Sequence, residues 1–323
     1  MVKRVINPLI LLLVIALLCG CSSSPSAEVT NQPAPGDARD TVTVVVTRDF
    51  GKELVLEQNV EIDADTSAMA ALQMVADVGT KYGGGYVESI DGISPESREA
   101  DKNKAWFFYI NGIASNLGAR DYVLRDGDVE HWDFRDWSYQ QFVPAIIGDF
   151  PQPFLSGCRY YDRPTFVVYE PAYAAGAEAL VAAMRGYGMA EFSAVDADLL
   201  SDEDKQTSNL IIIAGRDNPL VSELNKNYKK LGFFTFFESD GLMVLDAEGN
   251  TSLKLGAGSG VIQATQNPWN PGGVGAGENV VWMVAGFDDD GVRSTVAALL
   301  ENQDSLRHAF AVIVNQGQVV KIP

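Results

Sequence analysis

The stretch over residues 106–134 constrains the fold of this chain most, because strand and turn signals follow one another throughout it. Residues 106–110, WFFYI, are aromatic or β-branched, a composition typical of a half-buried strand. Asn111-Gly112 supplies the positive backbone angles that a tight turn requires. Two further extended runs, residues 122–124 and 129–134, flank the turn signal Asp126-Gly127-Asp128. The stretch therefore predicts paired strands that position the loops between them.

The last of these runs has two different faces. Alternation places Glu130, Trp132 and Phe134 together on one face, with His131 on the opposite face. Two interpretations of His131 stay open. Its neutral imidazole could approach a bound metal centre, or it is a polar residue on the solvated face of the strand.

The residues before this stretch predict a hairpin and a helix. Residues 41–47, TVTVVVT, and 53–62 are strand-like runs separated by the turn Phe50-Gly51-Lys52. Asp65 or Thr66 is expected to cap a helix, in which apolar residues recur at helical spacing: Met69, Leu72, Val75 and Ala76. The order is β-β-α-β with further strands, which is the arrangement of a β-grasp sheet around one helix.

This combination resembles the C-terminal β-grasp domain of transcobalamin and intrinsic factor, which also occurs in prokaryotic surface lipoproteins. The resemblance rests on the leading hairpin, the short helix, residues 106–112, Gly118, and the pattern Tyr122-x-Leu124-x-Asp126-Gly127-Asp128-x-x-x-Trp132. It covers roughly residues 41–134 and implies a corrinoid ligand. In the animal proteins this domain closes over one face of the corrinoid. The chain departs from those animal proteins in lacking their separate helical barrel.

The first 21 residues predict export and lipid attachment. Lys3 and Arg4 precede an apolar run over residues 9–18, which is too short to span a bilayer as a stable helix. Leu18-Cys19-Gly20-Cys21 matches the pattern of bacterial lipoprotein processing, with Cys21 as the lipid-bearing residue. Residues 22–40 are rich in Ser, Pro, Ala, Gly and Asn and predict a flexible tether. We therefore expect an extracytoplasmic chain that is anchored to the membrane or cell surface by lipid.

The second half of the chain predicts a small α/β layered domain over residues 163–323. An aromatic and proline-rich linker over residues 136–162 leads into it. Residues 209–214, NLIIIA, form a continuous apolar run typical of a strand buried on both faces of a parallel sheet. Other expected strands and helices alternate around that run: strands 165–169, 232–237, 242–246, 261–265, 279–285 and 309–314, and helices 172–186, 219–230 and 290–301. Several of these pieces resemble a domain of archaeal and bacterial surface-layer proteins, which implies a surface context and no chemistry.

Charge and residue usage exclude several functions. The formal net charge of −19 disfavours nucleic acid and anionic lipid headgroups, which would be repelled. The chain has only two histidines, His131 and His308, so a catalytic triad, a multi-histidine zinc site or a haem site has little to be built from. Cys158 is the one thiol left after export and lipidation, and we interpret it as a small buried hydrophobe. We expect no enzyme, no metal site and no required cofactor.

Aromatic density gives the best indication of a binding site. Flat amphipathic rings suit a large planar ligand or a sugar, and loop residues carry most ligand contacts. The candidate ligand-binding residues belong mainly to loops and to the linker: Tyr82, Tyr86, Asn111, Asn116, His131, Trp137 and Tyr139.

These features together predict an α+β protein with a β-grasp domain over residues 41–135, followed by the small α/β layered domain. Its expected function is to bind a small molecule, with a corrinoid (cobalamin-like) ligand implied by the resemblance, and to pass it to a membrane importer. The alternative is a cell-envelope interaction protein that binds wall or surface-layer polymer and no small molecule.

Overall fold

The computed structural model describes residues 39–157, 163–189 and 191–323, with the backbone alone at Glu99. The predicted signal peptide, lipidation site Cys21 and nearly all of the tether lie outside these residues, as does Cys158. No helix in the described part of the chain is long and apolar enough to cross a membrane. Residues Arg39–Pro323 pack as one compact unit. The domain boundaries near residues 135 and 163 therefore stay predictions, although a different main sheet lies on either side of them.

The first sheet has five strands in the order β2-β1-β7-β5-β6. A hairpin and a helix come first: β1 (Asp40–Arg48), β2 (Glu53–Ile62) and α1 (Ala68–Val75). A separate two-stranded sheet follows, with β3 (Val78–Lys81) and β4 (Tyr86–Ile90). The remaining strands are β5 (Lys104–Ile110), β6 (Ile113–Ala114) and β7 (Val129–Asp136). β7 pairs parallel to β1 and antiparallel to β5, so the last strand lies at the centre of the sheet.

The helix α1 is capped by Ser67, whose hydroxyl accepts a hydrogen bond from the Ala70 N–H at 3.2 Å. The expectation of an Asp65 or Thr66 cap is wrong, because the Thr66 hydroxyl instead accepts the Asp63 N–H. The run 122–124 is also not a strand. Its backbone bonds go to the start of the helix, where the Tyr122 carbonyl accepts the Ala68 N–H.

The second half contains a seven-stranded sheet in the order β17-β16-β14-β15-β10-β8-β9 and a three-stranded sheet, β11-β12-β13. In chain order the elements are β8 (Thr165–Tyr169), α2 (Ala174–Gly186), β9 (Phe192–Asp196), α3 (Asp202–Thr207), β10 (Asn209–Gly215), α4 (Pro219–Lys226), β11 (Thr235–Glu238), β12 (Gly241–Leu245), β13 (Thr251–Leu255), β14 (Ser259–Gln266), β15 (Val280–Gly286), α5 (Asp289–Glu301), α6 (Gln303–Leu306), β16 (Ala311–Asn315) and β17 (Gln318–Ile322). The whole is an α+β structure, as the sequence predicts.

The prediction for the apolar run NLIIIA is confirmed. β10 pairs in parallel with β8 and β15, and Leu210 and Ile211 are both fully buried on opposite faces. β9, α3, β13, α6 and β17 were not expected, because these short segments carry little apolar periodicity.

The first sheet is covered on both faces. On one face α1 packs against Val44, Trp132 and their neighbours. On the other, Val143 and Ile146 of the linker and Phe310 of the second half pack against the sheet. The face of β7 that carries His131 is therefore a core face, and the interpretation of His131 as solvated is wrong.

Candidate functional site

A groove of about 740 Å³ lies between β4 and β5. Tyr86 and Val87 form one wall, and residues 106–109 of β5 form the other. Residues 114–121 close one end, and the loop over residues 82–85 borders it. This volume falls within the usual range of small-molecule sites.

The floor of the groove is aromatic. Trp106 and Phe108 point from β5 toward α1, and the Phe108 ring stacks on Trp132 with centroids 4.9 Å apart and planes at 20°. Met69 of α1 also lines the floor. Trp106 and Trp132 are almost fully buried, so they support the floor, and neighbouring side chains provide most of the exposed surface of the groove.

The rim depends on two glycines with positive φ. Gly83 and Gly84 have φ angles of 69° and 91°, which side-chain-bearing residues rarely adopt. Arg120 donates a hydrogen bond from Nη1 to the Gly83 carbonyl. Its guanidinium occupies the space beside Gly84, where an added Cβ would lie 2.5 Å from Arg120 Cζ. A side chain at position 84 would therefore displace the Arg120 guanidinium from its present position.

Three of the predicted residues come together at the groove. Tyr82 is 88% exposed and Tyr86 39% exposed, with ring centroids 6.3 Å apart in an edge contact. Asn116 lines the opposite side, and its Nδ2 donates to the Ala276 carbonyl of the second half at 3.1 Å. Exposed tyrosine rings over an aromatic floor are suited to contact a flat ligand.

Asn111 lies elsewhere. Its side chain is buried and donates to Asp128 Oδ1 at 2.8 Å, while its Oδ1 accepts the Val129 N–H. With a φ of 54°, Asn111 forms the turn that joins β5 to β6. These bonds fix the turn and leave no free group for a ligand.

His131 is also outside the groove, in a buried hydrogen-bond chain. Its Nδ1 lies 2.7 Å from Asp149 Oδ1, and its Nε2 lies 2.8 Å from the Thr47 hydroxyl. The Thr47 hydroxyl also lies 2.6 Å from Asp133 Oδ2 and 3.3 Å from the Trp132 carbonyl. Burial lowers the pKa of His131, but the nearby carboxylates of Asp149, Asp133 and Glu57 together outweigh it, and the pKa is raised.

The order Thr47, His131 and Asp149 resembles a catalytic triad in its connections, which sequence reasoning did not anticipate. All three side chains are buried, however, and the Thr47 hydroxyl also contacts Asp133. This cluster joins β1 and β7 to Asp149 of the linker, and His131 does not line the groove.

Trp137 and Tyr139 do not line the groove either. Trp137 is 40% exposed on the linker, just after β7. Tyr139 packs against Phe234, with ring centroids 5.8 Å apart, and lies over Gly249. The structure thus brings Tyr82, Tyr86 and Asn116 together and leaves Asn111, His131, Trp137 and Tyr139 apart from them.

Sequence reasoning missed Arg120 and Met69. Met69 was assigned only to the buried stripe of the helix, and Arg120 lies between Gly118 and Tyr122 of the family pattern but is not itself part of that pattern. The triple glycine over residues 83–85 was the available signal for a close approach to that loop.

Comparison with known proteins matches residues 65–136 to a family described as a domain of unknown function, DUF4430. The match includes the groove residues from Met69 to Arg135. No curated protein matches the chain.

Two solved structures resemble part of the chain. One is a candidate metal-binding protein from Ruminococcus gnavus ATCC 29149, with 19% identity over 30% of this chain and 97% of that one, at a TM-score of 0.23. The other is haptocorrin in complex with Cbi, with 15% identity over 31% of this chain and 26% of that one, at a TM-score of 0.25. At these scores neither likeness carries an argument about function. Residues 65–136 of this chain are thus similar to the DUF4430 domain.

Proposed function

We propose that the chain is a lipid-anchored extracytoplasmic protein that binds a large, flat small molecule in the groove between β4 and β5. The observation that carries the proposal is that Tyr82 and Tyr86, at the β3–β4 connection, and Asn116, from the segment after β6, line one groove together with the stacked Phe108 and Trp132 rings. Loops on a rigid sheet are where binding residues concentrate. The groove is open along one side, which suits contact with one face of a planar ligand.

A corrinoid is the first ligand to test, because residues 41–134 resemble the transcobalamin-type domain. On this proposal Tyr82 and Tyr86 contact the ring system, and Asn116 and Arg120 offer hydrogen-bond donors to polar groups at its edge. The lipid on Cys21 keeps the chain at the membrane, and an importer receives the ligand. No catalytic step is part of the proposal.

The test is a titration of the full-length chain, solubilised in detergent, with cobalamin and with cobinamide. Tryptophan fluorescence should be quenched in a saturable way by at least one of them, because Trp106 and Trp132 form the floor. Removing the Tyr82 ring in Tyr82→Ala should weaken binding about tenfold, since one aromatic contact contributes roughly 1.5 kcal/mol.

Tyr187→Ala is the control, because Tyr187 is a 43% exposed tyrosine outside the groove, next to α2. Its affinity should equal that of the wild type. If neither corrinoid quenches fluorescence or releases heat at high micromolar concentration, the corrinoid assignment is wrong.

A further inference from the structure

The outer edge of β5 is open along most of its length. β7 pairs with the inner side from Lys104 to Ile110, whereas β6 covers the outer side only at Tyr109 and Ile110. An unpaired strand edge presents a row of N–H and C=O groups that another extended chain can bind.

The direction of these groups follows from two hydrogen bonds. The Asn111 N–H donates inward to the Val129 carbonyl at 2.8 Å, so alternate residues of β5 direct their amides toward β7. Trp106 and Phe108 then direct their N–H and C=O groups outward. The Ser115 N–H, which follows β6 on the outer side, donates to the Phe108 carbonyl at 3.4 Å. The Trp106 N–H and C=O and the Phe108 N–H make no backbone hydrogen bond to other described residues.

Residues of β4 also line this groove. Within the described ranges β4 pairs only with β3, and Tyr86 and Val87 of β4 line the wall opposite β5. At one end the chain turns back, with Ile90 and Ile93 exchanging backbone hydrogen bonds of 3.2 and 2.9 Å. The free backbone groups of β5 at Trp106 and Phe108 therefore lie in the lining of the groove.

The other end of the groove carries a cation. Arg120 lies beside the Gly83 carbonyl and forms no ion pair with a described carboxylate. The net charge of −19 repels acidic chains at long range, but locally the exposed Arg120 guanidinium favours one acidic group on the molecule that occupies the groove.

We propose that an extended peptide with an acidic residue binds in this groove as an added strand on β5, with its acidic side chain paired to Arg120. Main-chain hydrogen bonds to Trp106 and Phe108 would supply affinity, and the groove floor would accept alternate side chains. This goes beyond the proposed small-molecule function and does not depend on it.

The probe is the synthetic peptide acetyl-Glu-Thr-Val-Thr-Val-amide, titrated against the full-length chain in detergent by calorimetry. The control peptide has the same sequence with N-methyl groups on alternate amides, in both possible phases. One phase should bind about tenfold more weakly, because it loses the hydrogen bonds to β5, and the other should bind like the parent.

Amide hydrogen exchange identifies where the peptide binds. In the free chain the Trp106 and Phe108 amides should exchange faster than those of Phe107 and Tyr109. Bound peptide should slow the exchange of the Trp106 and Phe108 amides. Arg120→Gln should weaken binding about threefold at low salt, whereas Lys226→Gln, an exposed cation on α4, should have no effect.

Equal binding of both N-methylated peptides, protection confined to other strands, or no binding at millimolar peptide would overturn the inference. The corrinoid titration is run separately. If the chain binds the peptide and no corrinoid, only the small-molecule proposal is wrong. If it binds a corrinoid and not the peptide, only the peptide proposal is wrong.

Discussion

Glu130 should make the stability of the chain depend on pH in a way that one substitution removes. Its side chain is fully buried on β7, and Oε1 accepts a hydrogen bond from Trp132 Nε1 at 2.6 Å. Oε2 has no hydrogen-bond partner in the described part of the molecule. Burial raises the pKa of Glu130 to about 8, against the opposing hydrogen bond from Trp132.

The sign and size of the effect follow from linkage. The carboxyl binds its proton more tightly in the folded chain, so its contribution is fully present below the unfolded pKa near 4.5 and is lost as pH rises through 8. At 1.36 kcal/mol per pKa unit, the shift from 4.5 to about 8 lowers the free energy of unfolding by ~5 kcal/mol between acidic pH and pH above 8. Glu130→Gln keeps an acceptor for Trp132 and cannot ionise. The free energy of unfolding of this variant should therefore not show this pH-dependent loss.

The assay is the free energy of unfolding in urea, measured at pH 5, 6, 7 and 8 for residues 22–323. As the pH rises over this range, the free energy of unfolding of the wild type should fall, relative to that of Glu130→Gln, by roughly 1.4 kcal/mol per pH unit. Glu61→Gln, at an exposed position of β2, is the matched control and should follow the wild type. Parallel curves for wild type and Glu130→Gln would refute the raised pKa.

Three further predictions concern caps, glycines and the contact between the two halves. Ser67→Ala should lower the thermal midpoint by removing about 1 kcal/mol of helix capping. Gly84→Ala should destabilise the chain and weaken ligand binding more than Gly83→Ala, because both have positive φ but only position 84 meets Arg120; equal effects would contradict this. Gln266→Leu should cost ~3 kcal/mol in urea unfolding, since Gln266 donates to the Ala114 and Pro144 carbonyls and accepts two glycine amides; an unchanged midpoint would contradict it.

Local sequence signals located β5 and β7 well, because their pairing depends on composition and turns within thirty residues. The same reasoning failed for the face of His131. That face is covered by Ile146 and Phe310, and the second of these is far away in sequence. Alternation along a strand predicts which residues share a face, but not whether a distant segment covers it.

The candidate site was predictable to a similar extent. Aromatic residues beside a glycine run indicated an exposed loop at Tyr82 and Tyr86, and the structure places both in the lining of the groove. Asn111 was assigned to the site as a loop residue, yet its amide completes a turn, which is a common use of asparagine at positive φ. Arg120 could not be found, because its importance depends on the position of Gly84 in the folded chain.

The most direct test of the central claim is a crystal structure of the chain with cobinamide bound. The account predicts the ligand between β4 and β5, in contact with Tyr86 and above the Phe108 ring. Ligand bound instead beside Trp137 and Tyr139, with the groove unoccupied, would contradict it.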